Sequence, residues 1–117
     1  MSNLTLDGAV LLFKALGNKA RLQILNSLHS GDKNVSELCS STGLDQARVS
    51  HELKCLVVCG LVNYRREGRY IVYAVNRDTI LPIMKAAEEH VRRYYDRLTS
   101  CSIISDARSV RINELKI

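Results

Sequence analysis

Apolar residues along the chain recur at spacings of three and four in five stretches and give way to a β-rich pattern in one. Leu6, Val10, Phe13 and Leu16 fall at helical spacing and stop at Gly17, which predicts a first helix. Asn18 then reads as an N-cap, with Leu22, Leu25 and Leu28 on one face and Gly31 as the stop. A short third helix is capped by Asn34 or Ser36 and breaks at Gly43. A fourth runs from an Asp45 cap through Val49, Leu53 and Leu56 to Gly60. The stretch "LVNYRREGRYIVYAV" is rich in β-branched and aromatic residues and contains Glu67-Gly68, so it predicts a hairpin turning there. Ile80, Met84, Ala87, Val91, Tyr94 and Leu98 then alternate at spacings of four and three, the pattern of a packed helical seam. Residues 102–117 give no prediction. The expected fold is mainly α with a β-hairpin wing: one domain over 1–101, followed by a tail.

This order places a short helix, a glycine turn and a second helix directly before a basic hairpin. The first three parts are a helix-turn-helix arrangement, with Gly43 making the turn and Leu44 and Val49 anchoring the second helix. Exposed positions near the start of that helix are Gln46, Arg48, Ser50, His51 and Lys54, whose donors suit base edges or phosphates in a major groove. Arg65, Arg66 and Arg69 surround the hairpin glycine and would grip the phosphate backbone or minor groove. Either half alone equally describes solvated charges on a structural element; in succession they predict a winged-helix DNA binder. The last helix's seam calls for a partner surface, which a second copy or the chain's own core would supply.

Composition narrows the class further. At 117 residues the chain can bury one core, and its 46% hydrophobic and 25% charged residues are those of an ordinary globular protein. The net charge of +5 favours a polyanionic partner. No apolar run approaches the ~18 residues of a membrane span, so no membrane partner is expected. Asp7 and Lys14 interrupt the N-terminal apolar residues, so the start does not read as a signal peptide and a cytoplasmic location is expected. There, four cysteines are thiols or thiolate ligands rather than disulfides. With no Cys-x-x-Cys and no glycine-rich nucleotide loop, the chain does not read as an enzyme.

Cys55 and Cys59 are the pattern with the most chemistry in it. Four residues along a helix return a side chain to the same face, about 6 Å further on. Thiolates sharing one metal at about 2.3 Å lie about 4 Å apart, which this start allows; a disulfide would distort the helix. Two sulfurs are too few, and Cys101, just after the last helix, is the natural third. Each cysteine also has a plainer reading. Cys39 is a small residue where two helices cross, Cys55 and Cys59 are small core hydrophobes, and Cys101 is an idle thiol. His29, near a helix end, suits the helix dipole better than a metal.

The segments "LFKALGNKARLQILNSL", "VSELCSSTGLDQARVSHELKCLVVCGLV" and "REGRYIVYAV" are similar to the ArsR/SmtB family of winged-helix repressors, over roughly residues 9 to 100. The resemblance implies a homodimer, held by the first and last helices, on an operator of two-fold symmetry, released by an inducer. "LKCLVVCGLV" with a later C-terminal cysteine resembles the CmtR-type branch that senses cadmium and lead. That implies a trithiolate site of Cys55 and Cys59 on the reading helix and Cys101 from the other subunit. Its inducer would be Cd(II) or Pb(II), with Hg(II), As(III) or Zn(II) as further candidates. Three departures matter. Cys39-Ser40-Ser41 keeps only the first member of the Cys-x-Cys pair of the family's arsenic sensors. The family's zinc site across the paired last helices aligns with Arg77, Thr79, His90 and Arg93, and arginine repels a cation. The tail 102–117 matches nothing. A rival within the family is a repressor responding to oxidants or persulfides through Cys39 and Cys101.

Overall fold

The computed structural model describes residues 1–104, which form two compact units, Met1–Leu81 and the segment from Pro82 onward. The first unit carries helices α1 (Asn3–Leu16), α2 (Lys19–His29), α3 (Val35–Thr42) and α4 (Gln46–Val58), then strands β1 (Val62–Glu67) and β2 (Tyr70–Val75). Helix α5 (Ile80–Ser100) begins at the end of this unit and makes up most of the second.

The helix starts are set by side chains that satisfy the first free backbone N–H groups. Ser2, Asn18, Asn34 and Asp45 accept from Thr5, Arg21, Glu37 and Arg48 respectively. Asn34 and Glu37 form a reciprocal capping box, which settles the start of α3 on Asn34 rather than Ser36. Gly43 ends α3 in the left-handed region at φ 77°, a conformation that costs a glycine almost nothing. That single residue makes the turn between α3 and α4.

Burial follows the predicted face closely in α4 and departs from it in α2. Leu38, Val49, Leu53 and Leu56 are buried, together with Leu61 and Val62 at the base of the hairpin. In α2, Ile24, Leu25 and Leu28 are fully enclosed, whereas Leu22 stays 40% exposed. The buried face there is centred one position off the predicted line, so that Ala20 and Ile24 replace Leu22.

β1 and β2 pair antiparallel, with Val62 opposite Val75 and Glu67 opposite Tyr70. The connecting residues are therefore Gly68 and Arg69, one place later than predicted. Gly68 at φ 59° takes the position that a two-residue hairpin turn reserves for positive φ. Near the base of the wing, Lys33 forms an isolated bridge with Tyr73. The Lys33 ammonium donates to the Ser27 and Gly31 carbonyls at the end of α2.

In the second unit, α5 carries surface pairs Arg92–Glu88 at 2.8 Å and Arg93–Glu89 at 2.7 Å. It departs from helical geometry at Tyr94, with φ −121° and ψ 23°. Among the described residues no helix is long and apolar enough to cross a membrane. Of the tail 102–117, residues 105–117 lie outside the described residues.

Candidate functional site

Helix α4 stands on its buried residues Val49, Leu53 and Leu56, which leaves Gln46, Arg48, His51 and Lys54 exposed and Ser50 half-buried. All five predicted contact residues thus lie on accessible or partly accessible helix surface. The wing presents Arg65, Arg66 and Arg69, all exposed. These cations are not equivalent. Arg65 donates to Asp32 at 2.7 Å and to Glu67 at 2.9 Å, and Arg77 stands 4.0 Å from the same Asp32. Arg66, Arg69 and Lys54 form no ion pair among the described residues.

The sequence reading missed Glu52. It is only 3% exposed, yet charged, and sits on the buried face of α4. Each of its oxygens is taken: Arg21 of α2 donates to Oε1 at 3.1 Å, and Arg48 donates through Nε to Oε2 at 2.8 Å. Burial alone would raise this carboxyl, but the Arg48 and Arg21 hydrogen bonds outweigh it and hold the group below the ordinary carboxylate range. Arg21 also donates to the Ala15 carbonyl at 2.6 Å and the Lys14 carbonyl at 3.2 Å, closing the C-terminus of α1. The signal was available: Val49, Glu52, Leu53 and Leu56 share one helix face, so a carboxylate there needed a cation.

Cys55 and Cys59 lie at the far end of the same helix. Cys59 caps α4, its backbone N–H donating to the Cys55 carbonyl at 3.0 Å, and its side chain is exposed while that of Cys55 is half-buried. Burial pushes the Cys55 thiol up, and the neighbouring Cys59 adds to this through charge and a hydrogen bond, against a smaller opposing pull from Arg21. The two cysteines therefore stand one helical turn apart at the C-terminal end of α4. Cys39 is half-buried beside Val35, Ser36 and Gln46. Cys101 is half-buried just past α5, its N–H directed at the Leu98 carbonyl. All four are free thiols. Among the described residues, no group of three or more His, Cys, Asp or Glu side chains gathers within one chain.

The positions aligned with the family's zinc site are occupied otherwise. Arg93 pairs with Glu89, and the His90 ring lies 4.8 Å from that of Tyr94. Two apolar surfaces remain uncovered. On α1, Leu4, Val10, Leu11 and Phe13 are 54–82% exposed. On α5, Val91 and Tyr94 are about 40% exposed and Ala87 is exposed, with Met84 and Leu98 half-buried. Ile80 differs from the rest of the seam: it is buried at 3% within the first unit.

Comparison with known proteins now bears on this arrangement. The profile of the bacterial regulatory proteins of the arsR family matches residues 18–64, which runs from the cap of α2 into the wing. The transcriptional activator HlyU of Vibrio cholerae is 38% identical over 87 residues, 74% of this chain and 77% of HlyU. The chain belongs to the arsR family. A probable mercury resistance operon repressor from Streptomyces lividans is 33% identical over 81 residues, covering 69% of this arsR-family chain. The chain spans 65% of that repressor's own length. Among solved structures, a homodimeric winged helix-turn-helix DNA-binding domain from Mycobacterium bovis superposes with a TM-score of 0.67 at 31% identity. It covers 80% of this chain and 93% of that domain. Membership of a family of regulators agrees with the missing enzyme motifs.

Proposed function

We propose that this arsR-family chain is a homodimeric repressor that binds operator DNA and is released by a soft, thiophilic cation, Cd(II) or Pb(II) first. The observation that carries the reading is Cys55 and Cys59, one helical turn apart at the end of α4, the helix whose first turns expose Gln46, Arg48, His51 and Lys54. The mercury-operon relative, itself named a repressor, supports a thiophilic ion. The uncovered apolar residues of α1 and α5, from Met84 to Leu98, support a second copy as partner.

In this reading Gln46, Arg48, Ser50, His51 and Lys54 contact the major groove, and Arg65, Arg66 and Arg69 hold phosphates. Cys55, Cys59 and Cys101 are the three ligands. The donor set fits: sulfur is the atom such ions prefer, and two of the three cysteines stand one helical turn apart on α4. When bound, the cation supplies bonds that hold these thiolates together. Until then Cys55 keeps its proton at neutral pH, since burial and Cys59 raise its affinity for it. Tying α4's C-terminal end changes how its N-terminal end meets the groove. A coupling of about 1–3 kcal/mol between the two equilibria suffices for release.

The test is retardation of promoter DNA with increasing Cd(II), read beside the ultraviolet thiolate charge-transfer band. Wild-type protein should release DNA and gain the band, and Cys55→Ala, Cys59→Ala and Cys101→Ala should lose both. Insensitivity to every dose of Cd(II), Pb(II), Hg(II) and arsenite refutes the metal reading. Loss of response only on changing Cys39 and Cys101 moves the trigger to oxidants or persulfides.

A further inference from the structure

The buried Glu52 is a charge in the core of a small domain, and such a group is retained only where something uses it or pairs it fully. Its pairing is complete on both sides. Arg21 anchors one oxygen, and Arg21 is itself fixed by two carbonyls at the end of α1. The second oxygen takes only the Nε of Arg48. Arg48 is further placed by its backbone N–H, which donates to Asp45 at 2.7 Å. Its side chain remains half exposed, 50%, on the face proposed to meet DNA.

A guanidinium has five N–H donors in a planar fork. With Nε committed to Glu52, the sideways pair Nε/Nη is closed to any ligand, and the two terminal amino groups form the remaining pair. That end-on pair matches two acceptors side by side. In the major groove, guanine alone offers them, at O6 and N7. A carboxylate behind the arginine also offsets its charge, which weakens undirected attraction to phosphates relative to directed base contact. Arg66 and Arg69, with no such partner among the described residues, are suited to the phosphate role.

We infer that Glu52 is a positioning residue for operator recognition, holding Arg48 so that it reads one guanine end-on in each half-site. The inference rests on the DNA-binding reading above and adds the base and the residue that orients its reader. Guanine at that position should be favoured over other bases about 5- to 150-fold.

The experiment is selection of bound duplexes from a fully randomised DNA pool by the wild type and by Arg48→Ala, Arg48→Lys and Glu52→Gln. Thermal melts followed by circular dichroism check each fold. The wild type should enrich a two-fold motif with a fixed guanine in each half. Arg48→Ala and Arg48→Lys should lose preference at that base pair alone, although lysine keeps the charge. Glu52→Gln should blur the same base pair while binding of unselected DNA holds or rises. An Arg48→Lys motif identical to wild type overturns the inference, as does a Glu52→Gln loss spread evenly over all DNA. If the wild type enriches no DNA at all, the DNA-binding reading falls first and this inference with it. If Glu52→Gln does not fold, the two Arg48 variants decide, because they leave the Arg21–Glu52 pair in place.

Discussion

The region from α2 to the wing and the helices that flank it in sequence use apolar residues in opposite ways. Ile24, Leu25, Leu28, Leu38, Val49 and Leu56 have no exposed surface, whereas Leu4, Leu11 and Phe13 of α1 are 60–82% exposed. Val91 and Tyr94 of α5 are exposed as well. Both patterns look alike in sequence, since each is a run of apolar residues at helical spacing. The difference is one of address: the first set is satisfied by its own chain, and the second is a surface that water covers until another apolar surface displaces it. On the proposed reading, a DNA-reading head folded on its own contacts and an assembly surface carried on separate helices can then be altered independently.

The largest expected effect breaks the head. Leu25→Ala empties a fully enclosed site and should cost about 2–5 kcal/mol of folding stability in chemical denaturation. Next is the assembly surface, where Phe13→Glu should weaken the dimer by about 2–4 kcal/mol, roughly 30- to 1,000-fold in dissociation constant. Sedimentation at varied concentration reads this, and circular dichroism should show the head's helices intact; unaltered self-association removes α1 from the interface. The same variant should bind operator DNA far more weakly, since one reading helix replaces two.

A smaller effect concerns acid and alkali. The Cys55 thiol is raised in the folded state, so folding favours its protonated form. That contribution is present below the ordinary thiol pKa and is lost as pH rises through the raised value. Stability should therefore fall toward alkaline pH, and Cys55→Ala should abolish that part of the decline. Metal response should strengthen over the same rise, as protons cease to compete for sulfur. Glu52 has the opposite sign: its lowered pKa stabilises the fold above the ordinary carboxylate value, and the benefit disappears as pH falls through the depressed one. The smallest effect is Arg66→Ala, which should weaken binding of all DNA sequences alike and reduce the salt slope by about one.

Much of the fold was legible because its signals are local. Asn18, Asn34, Asp45 and Gly43 act on backbone groups within four residues of themselves, so their roles in capping and turning survive without knowledge of the whole. The placement of Cys55 and Cys59 one turn apart at the end of α4 was legible for the same reason. Burial was less so: periodicity gives the line of a face but not its centre, and Leu22 and Ile24 exchanged places for want of it. The hairpin turn slipped by one residue, since both Glu67-Gly68 and Gly68-Arg69 contain the glycine that any such turn needs. Glu52 and Arg21 are 31 residues apart, and only their meeting explains either. The pairing of Arg65 with Asp32 hid in the same way: an arginine near a hairpin tip looks free until the tertiary fold brings it a carboxylate.

That last contact, between a wing strand and the connection before α3, carries a consequence for the shape of an operator. Asp32 pins Arg65 at 2.7 Å, and Lys33 beside it is stitched to Tyr73 on the other strand. The wing is thereby indexed to the segment that launches the helix-turn-helix, like the fixed jaw of a caliper. On the proposed DNA-binding reading, a subunit built this way tolerates little variation in the gap between the bases met by α4 and the flanking stretch met by the wing. Adding or deleting one base pair there is a mismatch of geometry that no change of sequence can repair.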